Sequence, residues 1–190
     1  METILHFEPV FDLSDEDFYA FCQLNRDVQI ERNAKGEVIL TPPTGGDTSD
    51  RNAEITMQLR MWAKQNGTGT SFDSSGGFRL PNGAIRSPDA AWLEHVRLNA
   101  LLAEDRRKFI PLCPDFLIEL CSESDSIDTL KEKMQEYLDN GVRLGWLIDP
   151  YHFKVYVYRT DLPVEVLEKP SRLSGESVLL GFELDLGEIW

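Results

Sequence analysis

The segment from Pro114 to Pro150 limits the possible fold more than any other part of the chain. Pro114 to Cys121 is a short run of β-formers, apolar on both alternating faces, as expected of a strand buried between two layers. Ser122 to Ser126 supplies loop and helix-capping residue types. Ile127, Leu130, Met134, Tyr137 and Leu138 then recur at helical spacing until Gly141 stops the run. Val142 to Asp149 is a second strand-like run, closed by Pro150. The unit reads strand, helix, strand. Parallel strands joined by a right-handed crossover are its expected form, with two antiparallel strands flanking a packed helix as the other arrangement the pattern admits. One residue breaks the first strand. Glu119 stands among Leu117, Ile118 and Leu120, and a buried carboxylate is costly unless it is paired or bound to a metal, so Glu119 needs a partner.

The rest of the chain supplies elements around this unit. Ser14 caps a short helix that runs to about Asn25, with Asp15, Glu16 and Asp17 in its first turn. Val28 to Arg32 and Glu37 to Thr41 flank Asn33-Ala34-Lys35-Gly36 and read as a hairpin. A long helix is expected from about Thr48 to Asn66, with Ile55, Leu59 and Trp62 on one stripe and Glu54 and Gln58 beside it. Asn82-Gly83 marks a second hairpin, and Ser87-Pro88-Asp89 opens a central strand through Ala90-Ala91-Trp92-Leu93. Leu98 to Arg107 reads as a polar, partly helical excursion. Phe153 to Arg159 alternates as a strand, and Val164 to Leu167 and Val178 to Leu180 are candidate edge strands.

Several function classes are disfavoured. Gly45-Gly46 lacks the spacing of a phosphate loop, His6, His95 and His152 form no zinc motif, and Ser122 and Ser124 read as helix caps, not nucleophiles. Cys22, Cys113 and Cys121 are odd in number and lack paired spacing, which argues for buried thiols. No apolar run approaches the roughly 20 residues of a membrane helix. Acids stand where a signal peptide would carry Lys or Arg, so a cytoplasmic protein of one domain spanning 1–190 is expected. The formal charge of -14 is unusual for a nucleic-acid binder, which normally presents a basic face.

Against that background two carboxylates stand out, Asp89 at a strand start and Glu119 within the next strand. If those strands are neighbours, both acids can meet one hard divalent cation, with a nearby lysine to act on water or phosphate. Singly, the ordinary reading of each residue is structural: a turn aspartate for Asp89, a solvated helix lysine for Lys133, and a helix-surface acid for Glu54.

Ser87-Pro88-Asp89-Ala90-Ala91-Trp92, Pro114-Asp115 through Glu119-Leu120, Lys133 with Tyr137, Gly141-Val142 and Trp146 to Pro150 resemble the Uma family of restriction-endonuclease-like bacterial proteins. The opening Ile30-Glu31 to Leu40-Thr41-Pro42 and the ending Gly181 to Leu184 are similar too, so the likeness covers most of the chain. This resemblance implies the PD-(D/E)xK nuclease superfamily and its α/β fold, a mixed β-sheet flanked by helices. It also implies Asp89 and Glu119 as metal ligands with the carbonyl of Leu120, Mg2+ or Mn2+ as cofactor, and nucleic acid, DNA foremost, as substrate. A dimer is the expected assembly. The usual motif places its lysine where this chain has Cys121; the family's displaced lysine matches Lys133, while the helical wheel alone admits Lys131 as well. Glu54 matches the acid that superfamily members often carry on the first core helix. Two other readings remain: a nuclease fold that has lost catalysis and serves binding or assembly, and a metal-dependent phosphoesterase of small substrates.

Overall fold

The computed structural model describes residues 3–7, 11 and 13–190. In chain order its first elements are β1 (Thr3–Leu5), α1 (Asp15–Leu24), β2 (Gln29–Arg32), β3 (Val38–Thr41) and α2 (Gly46–Asn66). β4 (Gly69–Asp73), β5 (Phe78–Arg79), β6 (Ile85–Arg86), β7 (Ala90–Glu94), α3 (His95–Asn99) and a 3-10 turn at Asp105–Arg107 follow. The second half holds β8 (Phe116–Leu120), α4 (Ile127–Asp139), β9 (Leu144–Asp149), β10 (Lys154–Arg159), β11 (Glu165–Glu168), β12 (Arg172–Ser174) and β13 (Glu183–Asp185).

The segment from Pro114 to Pro150 folds as a β-α-β unit with parallel strands, Phe116 lying opposite Leu144 and Leu120 opposite Ile148. Those strands sit at the centre of a six-stranded mixed sheet in the order β11-β10-β9-β8-β7-β4, all of whose other pairings are antiparallel. Alternation along the strands assigns their two faces. Ala90, Trp92, Phe116, Ile118, Leu144, Trp146 and Ile148 pack with Ile55, Leu59 and Ala63 of α2 and with the C-terminal Phe182, Leu184 and Leu186. Ala91, Leu93, Leu117 and Leu147 pack on the other face against Leu130, Met134 and Tyr137 of α4. Trp146 meets Phe116 edge-on at 4.7 Å between ring centroids, a contact adding about 0.5–1.5 kcal/mol beyond burial.

A second sheet, β1-β3-β2-β6-β5, leans on α1 through Phe18, Ile30, Val38 and Ile85. Its two expected hairpins form, with Gly36 and Gly83 at φ +80° and +88° supplying the left-handed backbone of their turns. Four strands were not anticipated, β1, β4, β12 and β13; Gly69-Thr70-Ser71 has little of the apolar alternation that marks a strand. The expected edge strand at Val178–Leu180 is instead turn. Leu179 is buried there, while the flanking β12 and β13 pair as a small hairpin. No helix among the described residues is long and apolar enough to cross a membrane.

Candidate active site

β7 and β8 run antiparallel with Ala90 opposite Ile118, so the next step outward brings Asp89 beside Glu119. Asp89 is tied at both oxygens. Its Oδ2 accepts the Leu120 backbone N–H at 2.8 Å, and its Oδ1 accepts from Asn52 Nδ2 at 3.0 Å. Glu119 faces the α4 side of the sheet. The ammonium of Lys133 lies 2.9 Å from Glu119 Oε1, and the Tyr137 hydroxyl donates to the same oxygen at 2.9 Å. Lys133 and Tyr137 are four residues apart on α4 and so share a face. The helix that carries them starts at Ser126, whose hydroxyl accepts from the Thr129 N–H.

A third carboxylate completes the group. Glu31 on β2 is buried and reaches Lys133 Nζ at 3.0 Å, Arg86 at 3.1 Å and the Ser87 N–H at 2.7 Å. Arg86 in turn binds Glu136 of α4 at 2.6 Å, which joins the second sheet to the helix. Glu31 and Arg86 are cross-strand neighbours, one step beyond the Arg32–Ile85 pair.

Burial and charge oppose each other across this network. Burial pushes the Glu119 carboxyl up to about 7, with Lys133 pulling it down and Asp89 and Glu31 adding to the rise. Asp89 is likewise raised, mainly by burial, against the lowering contacts from the Leu120 N–H, Lys133 and Asn52. For Glu31 burial acts upward, but Lys133 and Arg86 outweigh it and hold the group below the usual carboxylate range. Burial alone would lower Lys133, yet Glu119 and Glu31 raise it above the ordinary lysine range, so it stays an ammonium. An ammonium held between two carboxylates can offer charge and hydrogen bonds but cannot serve as a base at neutral pH.

Asp89, Glu119, Leu120 and Lys133 all line one cavity of about 550 Å³. Its wall also takes in the Pro42–Gly46 loop, the start of α2 and the Ser122–Asp125 loop. The chain matches the family model Uma2, described as "putative restriction endonuclease", over residues 15–187. The chain belongs to the Uma2 family. Among solved structures it is similar to a "putative nuclease belonging to DUF820" from Anabaena variabilis ATCC 29413, at 22% identity and a TM-score of 0.72, over 84% of this chain and 88% of that one. This likeness shows the restriction-endonuclease-like fold. A DrdV–DNA complex is similar over 62% of this chain and 10% of that one, at 13% identity and a TM-score of 0.40. No curated protein matches.

Between the two candidate lysines the geometry discriminates. Lys131 turns away from the cavity, 3.6 Å from Asp128 and over the Tyr156 ring at 4.8 Å. Cys121, at the position of the usual lysine, is buried on the α4 side with its thiol pushed up to about 12 by burial. Glu54 does not join the group. It accepts from Gln58, which bonds to the backbone of Asp185 on β13, and it is absent from the cavity wall. Two residues apart on a helix point about 200° apart, so Asn52 takes the inward position that Glu54 was expected to hold. Glu31, Arg86 and Asn52 escaped the sequence reading. For Glu31 a signal existed: like Glu119, it is an acid inside a strand. Asn52 carried none.

Among the described residues no three His, Cys, Asp or Glu side chains form a ready metal cluster. The donors that do converge nevertheless suit a hard divalent ion: two carboxylates on adjacent strands, both raised mainly by burial, and a backbone carbonyl. Both protein contacts to Glu119 fall on Oε1, which leaves Oε2 as the oxygen to offer.

Proposed function

We propose that this protein is a metal-dependent nuclease, hydrolysing phosphodiester bonds of nucleic acid, with DNA the expected substrate. One observation carries the reading: the Lys133 ammonium, delivered from α4, sits 2.9 Å from Glu119 beside an Asp89 oriented by the next strand, all on one cavity wall. Asp89, Glu119 and the Leu120 carbonyl would hold Mg2+ or Mn2+. When bound, such an ion polarises a phosphoryl oxygen and acidifies water.

The chain's own residues do the rest. Asn52 and the Leu120 N–H fix the Asp89 carboxylate, so its orientation is set before substrate arrives. Glu119, pushed up to about 7 by burial, can hold a proton at its carboxyl near neutral pH. Lys133 stays protonated and stabilises negative charge as it develops on the phosphoryl oxygens. Glu31, braced by Arg86, keeps that ammonium on the cavity wall while Glu119 turns to a cation.

Thermal unfolding with and without Mg2+ or Mn2+, followed by cleavage assays on DNA and RNA, tests the proposal. Wild type should gain stability from the ion; Asp89→Ala and the more conservative Asp89→Asn should lose that gain. An equal metal response in wild type and both variants would sink the site. Lys133→Ala should keep the metal response and lose cleavage by about 100-fold or more; unchanged cleavage would remove the lysine's role. No cleavage of either polymer would favour a binding or assembly module, the reading that Cys121 in the lysine position supports. Cleavage of a small diester alone would indicate a phosphoesterase of small substrates.

A further inference from the structure

Two buried polar side-chain atoms lack a hydrogen-bond partner among the described residues, Trp92 Nε1 and Asn52 Oδ1. Trp92 is sealed in the apolar core beside Trp62 and takes no part in the cavity wall. Asn52 lines the cavity. Its amide has no freedom to turn round. An ionised Asp89 only accepts, so the NH2 group must face it, as the 3.0 Å bond records. The amide oxygen is thereby pointed away from Asp89, where no donor among the described residues meets it. An acceptor left this way costs about 1–3 kcal/mol, and asparagine is a mediocre residue for a helix interior. A leucine would fill similar space without either penalty.

We infer that Asn52 Oδ1 is a further ligand of the divalent ion that Asp89 and Glu119 hold, so that α2 contributes to a site otherwise built by two strands. The inference rests on the metal-dependent reading above. Its chemistry suits the surroundings. An amide oxygen is a hard donor of the kind magnesium and manganese accept. It is also neutral, and this matters in a cavity whose wall, among the described residues, already carries Glu31, Asp47, Asp89, Glu119, Glu123 and Asp125 against Lys133 alone. A carboxylate at position 52 would face Asp89 as a like charge and lose the N–H bond that orients it. The amide serves both needs, its nitrogen tethering one ligand while its oxygen acts as another.

Isothermal titration of the intact protein with Mg2+ and with Mn2+ tests this without reference to turnover. Asn52→Leu should weaken Mg2+ binding by about tenfold or more. Asn52→His should shift the preference toward Mn2+ by about tenfold relative to wild type, because an imidazole nitrogen favours manganese over magnesium. A residue that only positions Asp89 would weaken both ions alike, so an unchanged Mn2+ to Mg2+ ratio in Asn52→His overturns the assignment. Wild-type affinity in Asn52→Leu overturns it too, and in either case the Asp89–Glu119 site survives. Failure of the wild type to bind either ion removes the metal reading and this inference together. The ratio needs only the histidine variant, so the test stands even if Asn52→Leu does not fold.

Discussion

Glu119 and Glu31 are neighbours on the same lysine, yet burial leaves them with opposite pH behaviour. Glu119 titrates at about 7 in the folded chain against an ordinary 4.5. Between those values the folded state keeps a proton that the unfolded state has released, so Glu119 makes stability fall as pH rises from about 4.5 to 7. Glu31 is depressed below 4.5, so its stabilisation is present above that value and is lost as pH falls through the lower, folded one. Urea unfolding of the metal-free protein across this range should show a shallower decline between pH 4.5 and 7 in Glu119→Gln than in wild type; an identical slope would mean Glu119 is already ionised. Glu31→Ala should destabilise at pH 7 by about 3 kcal/mol or more, since it strips a buried partner from both Lys133 and Arg86. A loss under about 1 kcal/mol would show that Glu119 and Glu136 satisfy those cations without it. Individual residues also show where reading a sequence stops. Asp89 and Asp115 both follow a proline at a strand start, and no local pattern separates them. In three dimensions Asp115 is consumed by structure, bonded to Arg97 at 2.8 Å and to the Glu94 N–H at 2.9 Å, at the opposite end of the ladder. The pairing with Glu119 on the next strand singles out Asp89, and family likeness adds to that choice.

At the scale of elements, what matters is how closely α4 approaches β9. Gly145 lies where the helix presses hardest, and a Cβ there would come 2.7 Å from Met134 Cε and 3.8 Å from Leu117 Cδ1. The methionine tip is flexible, so Gly145→Ala should cost less than about 1 kcal/mol. Gly145→Val adds bulk that the tip cannot clear and should cost about 1–3 kcal/mol. Because Lys133 adjoins Met134, the valine variant should also lose cleavage while its divalent-ion affinity, set by the strand ligands, changes little. Denaturant midpoints and ion titration check both halves; equal stability in the two variants would refute the tight fit. The β-α-β unit was legible because its apolar periods are long and its ends are punctuated by proline, serine and glycine. β4 was not, since its pairing with β7 and the packing of α2, rather than its own residues, make it a strand. The Val178–Leu180 run misled for the converse reason: Leu179 and part of Val178 plug the α2 face of the sheet without strand pairing, while Leu180 is exposed.

For the molecule as a whole the acidic balance sets how a polyanion can be held. A net charge of -14 repels nucleic acid at long range, and among the described residues the cavity wall offers a single cation, Lys133. The densest exposed basic run, Arg106-Arg107-Lys108, follows the far end of β7 from Asp89 and takes no part in that wall. A nuclease built this way must gain its phosphate contacts through the divalent ion and a very few side chains. Two consequences follow for binding measured by fluorescence anisotropy with a short DNA duplex and Ca2+ as the ion. Affinity should depend on the ion and collapse in chelator. The dependence of log K on log monovalent salt should be shallow, with a slope of about -1 to -2, because each neutralised phosphate contributes about -0.9. A slope steeper than about -4 would require a basic surface, and its loss on charge removal at Arg106 and Arg107 would locate it there. Binding that persists in chelator with that steep slope would detach recognition from the cavity, and the acids and lysine gathered at residues 89, 119 and 133 would then have to be explained without a bound strand.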